Sequence, residues 1–287
     1  MSESSVIHDI GYQRYDGPRL GRAAAFGALY IHGLRACFGF GRSAKAKIFP
    51  WLVAAVVLLV AVVVAAVRSK VGVVLLNYVS FDDRMAGLII FFAAICAPEL
   101  LSRDLRSGVL PLYFSRPLRA VDYVGAKVAA LVSAVWLVLG VPQLVMFLGA
   151  AFTTKKGMSG VWSELGDLLP GWAYSLLWAL LFAAIGLLIA SVTGKRAFAA
   201  GGIVAVFIVT MPVFLVVINL PSESAHELAG LVSPMMLIGG VGSWLFEFPQ
   251  QGLEIGRYGP VYGIEALTLL AACFLLLLAR YRKVASL

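Results

Sequence analysis

VAAVVLLVAVVVAAV, residues 53–67, is fifteen apolar side chains in a row without a charge, a glycine or a proline. Such a run has no polar face to turn toward water, so its natural solvent is the hydrocarbon of a bilayer. Only helices and closed β-barrels satisfy their backbone there. Barrel strands alternate in polarity over segments of about ten residues, and nothing alternates here, so the run reads as a helix. Working outward, six stretches have about the 17–25 apolar residues that cross a bilayer: 49–67, 85–101, 123–150, 172–192, 198–220 and 260–280. The 287-residue chain is 61% hydrophobic and 13% charged, whereas soluble domains carry about 25% charged residues. The expected fold is an all-α polytopic membrane protein with six transmembrane helices.

The charges set the expected topology. Six crossings leave both termini on one side. That side holds seven Lys/Arg before Ile48, five in residues 99–127, the pair Lys195-Arg196, and Arg280, Arg282 and Lys283. Only Arg68, Lys70, Arg84, Lys155, Lys156 and Arg257 fall opposite, with nine of the fifteen acids. By the positive-inside rule both termini are cytoplasmic. The net charge of +8 is therefore a topology signal. No basic face interleaved with stacking aromatics accompanies it, which argues against a nucleic-acid partner. Cys37, Cys96 and Cys273 are an odd, scattered set and do not make a disulfide framework. The polar lead, residues 1–17, lacks the apolar core of a cleavable signal, so the first span is expected to direct insertion.

Residues 18–48 read differently from the lead. Leu20, Ala23, Gly27, Tyr30, Ile31, Leu34 and Phe38 recur at helical steps, while Arg22, His32 and Arg35 lie off that stripe. The pattern predicts an amphipathic helix in the headgroup region, or one packed against protein, followed by a basic linker (Arg42, Lys45, Lys47) to Pro50-Trp51. Small residues four apart, Gly125/Ala129/Ser133 and Ala126/Ala130/Ala134, predict close helix packing on the third span. In the outer segment, 221–259, Ser224 and Glu227 have capping-box spacing. Ser233-Pro234 then interrupts, and MMLIGGVGSWLF, residues 235–246, is too short to span. Short helices in the outer leaflet or over a cavity are expected.

No motif for chemistry is complete. A phosphate loop, GxxxxGK[ST], is missing, and Thr193-Gly194-Lys195-Arg196 reads as a turn. His226-Glu227 opens like HExxH, but Gly230 occupies the second histidine's place. No GxSxG elbow occurs. Acids at membrane depth mark functional sites, and by the span boundaries above only Glu99 and Glu265 come near, both at helix ends. That pattern disfavours an intramembrane enzyme and a proton-driven carrier. The expectation is a chain with no catalytic, cofactor or metal residues of its own.

One segment stands out, PELLSRDLRSGVLPLYFSRPLRAVDYVGAK, residues 98–127. Glu99 and Arg103 are four apart with the acid first, the favourable order on a helix. Leu101, Leu105 and Val109 line another face. Gly108 allows a break, and Pro111 suits the first turn of a new helix. Leu110, Leu112, Tyr113 and Phe114 would then be anchors for a partner, with Arg106 and Arg116 at the rim. The alternative is an interfacial turn with those side chains among lipid headgroups.

Residues 99–119, followed by YVGAK at 123–127, resemble the "E…R..G.l..l.s.P..R..y..gK" stretch of ABC-2 type transporter permeases, although Val109 stands where Thr is common in that family. The lead GYQRYDGPRLGR, from Gly11, is similar too. The resemblance implies a permease in a bacterial plasma membrane whose coupling helix, residues 99–122 here, sits on a separate ABC ATPase. Two ATPases and two permease copies, most simply a homodimer, would make the working exporter, with ATP and Mg held by the partner subunit. Two alternatives stay open. A relative could move copper or sulfur species for metalloenzyme maturation, with Met235-Met236 as the only hint, or the chain could be a non-transporting membrane regulator. For a substrate path, the fifth span offers Phe207, Thr210, Met211 beside Pro212, Phe214 and Asn219. Polar groups facing lipid are costly, so Thr210 and Asn219 are expected to face protein or a cavity.

Overall fold

The computed structural model describes residues 21–114, 118–155, 157–247 and 253–285. It is all-helical. In chain order the helices are α1 (Arg22–Cys37), α2 (Ala44–Val71), α3 (Tyr78–Leu100), α4 (Ser102–Ser107), α5 (Leu110–Phe114), α6 (Ala120–Thr153), α7 (Gly157–Val192), α8 (Arg196–Ile218), α9 (Glu223–Leu228), α10 (Pro234–Phe246) and α11 (Gly259–Ala285). Six are long and apolar enough to cross a membrane: α2, α3 with α4 as its extension, α6, α7, α8 and α11. The lead's motif residues up to Leu20 lie outside the described residues.

The spans are not equivalent. In its most apolar stretch α3 is 72% buried and α7 67%, against 17% for α8. Both central helices are rich in small residues on their buried faces, Ala86, Ala93 and Ala97 on α3 and Ala179, Ala183 and Ala190 on α7. Small side chains let backbones approach where lipid supplies no hydrophobic drive. Aromatic packing joins α7 to α8: Trp178 stacks on Phe182 at 5.2 Å, and Phe182 meets Phe207 at 4.7 Å.

Four expectations shift. The second span begins at Tyr78 rather than Met85, which brings Asp82 and Asp83 into the helix, and α7 begins at Gly157 rather than Trp172. Charges that seemed to end the spans are paired across the bundle: both Nη atoms of Arg68 in α2 donate to Glu164 in α7, and Tyr78 Oη donates to the same carboxylate at 3.3 Å. The most buried face of α1 is Leu29, Gly33, Ala36 and Cys37; of the predicted stripe, Tyr30, Leu34 and Phe38 pack half-buried beside it, whereas Ala23 and Ile31 are exposed. This face lies against α3 and α6, where Tyr30 Oη donates to Ser133 Oγ at 3.0 Å. Finally, Ser222, not Ser224, caps α9.

The segment between α8 and α11 is a broken pair of helices bent by 115°. A break frees backbone groups that lipid cannot satisfy. Tyr262 of α11, fully buried, deals with two of them: its hydroxyl donates to Glu227 O at 2.9 Å and accepts from Gly230 N at 3.0 Å. Met235 and Met236 pack against the hydrophobic cores as apolar filler.

Candidate functional site

α3 is capped by Leu101, whose N–H still reaches Ala97 O at 3.2 Å, and Pro98 in its last turn offers no N–H to Ala94 O. One and a half turns of α4 follow. Gly108, at φ 65°, ends them in the left-handed conformation that glycine adopts without strain. Val109 O then accepts from Leu112 N and Tyr113 N at 3.1 and 3.2 Å, closing the single turn of α5. The predicted break and restart are where the sequence placed them.

Beneath this pair lies a buried charge network. Asp104 of α4 pairs with Lys127 of α6 at 2.8 Å and accepts from Tyr123 Oη at 2.9 Å. Tyr281 of α11 packs on Tyr123 at 4.9 Å, and Ser102 Oγ donates to Ala190 O of α7 at 2.8 Å. Glu99 departs from expectation. Its carboxylate meets Arg42, between α1 and α2, at 2.9 Å and Arg196, the first residue of α8, at 2.5 Å, rather than Arg103. The side chain of Glu99 faces the bundle, where two guanidiniums converge, so the local pair with exposed Arg103 does not form. Removing one partner from such buried pairs leaves an uncompensated charge, at about 3–5 kcal/mol.

The expected anchors divide. Leu110 is 4% exposed and belongs to the core, so it is not available to a partner. Tyr113 is half-buried against Tyr123, at 5.8 Å, and burial beside Asp104 raises its phenol above the usual range. Val109 is half-buried. Pro111, Leu112 (68% exposed), Gly108, Arg103 and Arg106 form the open surface. Phe114 closes α5, and Arg116 lies outside the described residues.

A second polar site, missed in the sequence, sits where α3, α6 and α7 meet. Asp82 is 1% exposed; its carboxylate accepts from Ser175 Oγ at 2.5 Å and from Gln143 Nε2 at 2.7 Å. Gln143 Nε2 also donates to Tyr78 O at 3.0 Å, and Tyr174 Oη donates to Asp83 at 2.6 Å. Gly171 is required by this contact, because a Cβ there would come within 2.4 Å of Tyr78 Cβ and 3.0 Å of Gln143 Oε1. Part of a signal was present, because Gln143 interrupts an apolar stretch of α6, whereas Asp82 lies in the largely polar run Ser80-Phe81-Asp82-Asp83-Arg84. Starting the second span at Met85 left Asp82 outside it.

The fifth-span residues differ in their surroundings. Phe207 and Phe214 are buried packing residues, and Asn219 is exposed rather than facing protein, its Nδ2 donating to its own helix at Leu215 O, at 2.7 Å. Thr210 Oγ1 bonds Val206 O at 2.9 Å and lies 3.3 Å from Ser233 Oγ, which also approaches Met211 Sδ at 3.7 Å. Neither a protein-family model nor a curated protein sequence matches this chain.

Proposed function

We propose that this chain is the membrane-embedded permease subunit of an exporter of the ABC-2 type, worked by a separate ATPase that seats on α4 and α5. In this reading both termini are cytoplasmic, α1 lies at the inner interface, and ATP and Mg belong to the partner. One observation carries it: an exposed tip, Pro111-Leu112 flanked by Arg103 and Arg106, stands on a base fixed by the Asp104–Lys127 pair and by Glu99 with Arg42 and Arg196. A tip on a flexible loop would absorb a push. Here a displacement of α4 is passed through the Asp104–Lys127 pair to α6, and a displacement of the end of α3 through Glu99 to the α1–α2 connection and the start of α8. A partner drives such a change only by binding one arrangement better than the other.

The test is Leu112→Asp with Arg106→Glu, both on the exposed surface. The expected result is loss of the co-purifying nucleotide-hydrolysing subunit with membrane insertion and thermal stability unchanged. Retention of that subunit by the double variant would sink the docking surface.

A second reading, a proton-coupled carrier, is favoured by Asp82, a buried carboxyl in a candidate span whose bonded partners, Ser175 and Gln143, are neutral donors. Ionisable groups at such positions mark proton relays. Transport by the Asp82→Asn variant that persists without ATP and loses its dependence on a pH gradient would favour this reading over the first.

A further inference from the structure

A cavity of about 760 Å³ opens between α1, the turn that follows it, and α4. Arg35, Arg42 and Arg103 line it together with His32, and no carboxylate lines it among the described residues. Arg42 is engaged by Glu99, whereas the side chains of Arg35 and Arg103 make no ion pair among the described residues. Arg35 and Arg103 thus bring two guanidinium forks to one hollow, the geometry that phosphate oxygens accept bidentately, and Arg42 adds its charge beside them.

The rim is apolar. Ile31 is 49% exposed and Phe40 47%, and Phe40 meets Trp51 edge-on at 5.9 Å. Trp51 is itself 48% exposed, near the start of a membrane-spanning candidate helix, and Leu52 and Leu59 continue that open face. Thus Phe40, over whose ring Lys47 Nζ lies at 6.0 Å, joins the cationic hollow to Trp51 on α2. A soluble anion has no use for the apolar face of α2, and an acyl chain without a headgroup has none for the arginines.

We propose that this cavity binds the phosphate headgroup of an anionic phospholipid, with Arg35 and Arg103 on the phosphate, Arg42 beside them, and an acyl chain along Ile31, Phe40 and Trp51. Because Arg103 belongs to α4 and the others flank or precede α2, an occupant bridges the α1–α2 region to the exposed tip. A second cavity of about 220 Å³ shares His32 and Arg103 and extends to Lys127 and Tyr113, but Glu99 and Asp104 also line it, so the phosphate belongs in the first hollow, beside the Asp104–Lys127 pair. This site shares Arg103 with the proposed ATPase surface, but its test needs no partner.

Native mass spectrometry of the purified full chain in dodecyl maltoside reads the binding directly, with dioleoylphosphatidylglycerol as the probe. One phosphatidylglycerol is expected to be retained per chain. Dioleoylphosphatidylcholine, whose choline is repelled by the arginines, should be retained far less, and inorganic phosphate should not displace the lipid. Arg35→Gln with Arg103→Gln should weaken retention by about tenfold or more, and Arg35→Lys with Arg103→Lys should fall between. Both pairs are exposed, and an unchanged elution volume and thermal midpoint confirm that they fold. Equal retention by wild type and the Gln variant, or equal retention of the two lipids, overturns the site. Displacement by inorganic phosphate overturns the lipid and assigns the hollow to a soluble phosphate.

Discussion

Asp104 and Asp82 are buried carboxylates on one helical run, yet their surroundings are opposite. Asp104 faces Lys127 at 2.8 Å, beneath an exposed tip. Asp82 faces Ser175 and Gln143, neutral donors at the junction of three helices. The first is a charge pair that stiffens a surface projection, and its strength depends on both partners staying. The second is a hydrogen-bonded knot that a neutral side chain of the same shape could hold. Burial alone therefore does not define what a carboxylate does; the partner's charge decides.

Breaking the pair at one end should have the largest effect. Lys127→Met leaves Asp104 buried and uncompensated, and we expect about 3–5 kcal/mol of lost stability, read as a lower thermal midpoint in detergent. Adding Asp104→Asn should restore most of it, because the orphaned charge is then gone. No recovery in the double variant would mean that Lys127 acts through packing instead.

The knot should respond more mildly and depend on shape. Asp82→Ala removes two hydrogen bonds, at about 0.5–1.5 kcal/mol each, and leaves the Ser175 hydroxyl with Gly171 O and the Gln143 amide with Tyr78 O. Asp82→Asn keeps an acceptor in place and should stay within about 1 kcal/mol of wild type. If Asn proves as harmful as Ala, the carboxylate's charge matters and the contrast with Asp104 fails. Gly171→Ala probes the same junction sterically. Its Cβ would fall 2.4 Å from Tyr78 Cβ, and the overpacking should lower stability by about 1–3 kcal/mol.

The smallest effect sharpens the other end. His32, near the Asp104–Lys127 pair, has its ordinary value of 6.5 lowered by partial desolvation first and by the nearby Lys127 charge second. Folded chain thus holds this proton less tightly than unfolded chain. The stability tied to neutral His32 is present above 6.5 and declines as pH falls below that value. Histidine NMR should show titration below 6.5 in wild type and a partial upward shift in Lys127→Met, partial because burial remains. An unshifted titration in the variant would separate His32 from the charge network.

Much of the architecture was legible in advance. Apolar runs identified all six long helices, and Pro98, Gly108 and Pro111 located the break between α4 and α5, because these are local properties of backbone and solvent. The candidate site was legible only in outline. Leu110 looked like a neighbour of Leu112, yet one is core and the other open, since successive residues of a single helical turn point in different directions. Glu99 looked suited to Arg103, four residues away, until two distant arginines reached it.

The sequence by itself determined that the chain is helical and membrane-compatible, how many long apolar helices it has, and where the projecting segment bends. Tertiary structure alone decided which charges are compensated, which face of α1 is covered and that Asp82 is buried. The physical reason is range. Hydrophobic run length and backbone breaks act over a few residues, whereas Glu99 with Arg42 and Arg196, Asp104 with Lys127, and Asp82 with Gln143 and Ser175 join residues on separate elements. Only packing of the whole bundle brings them within reach.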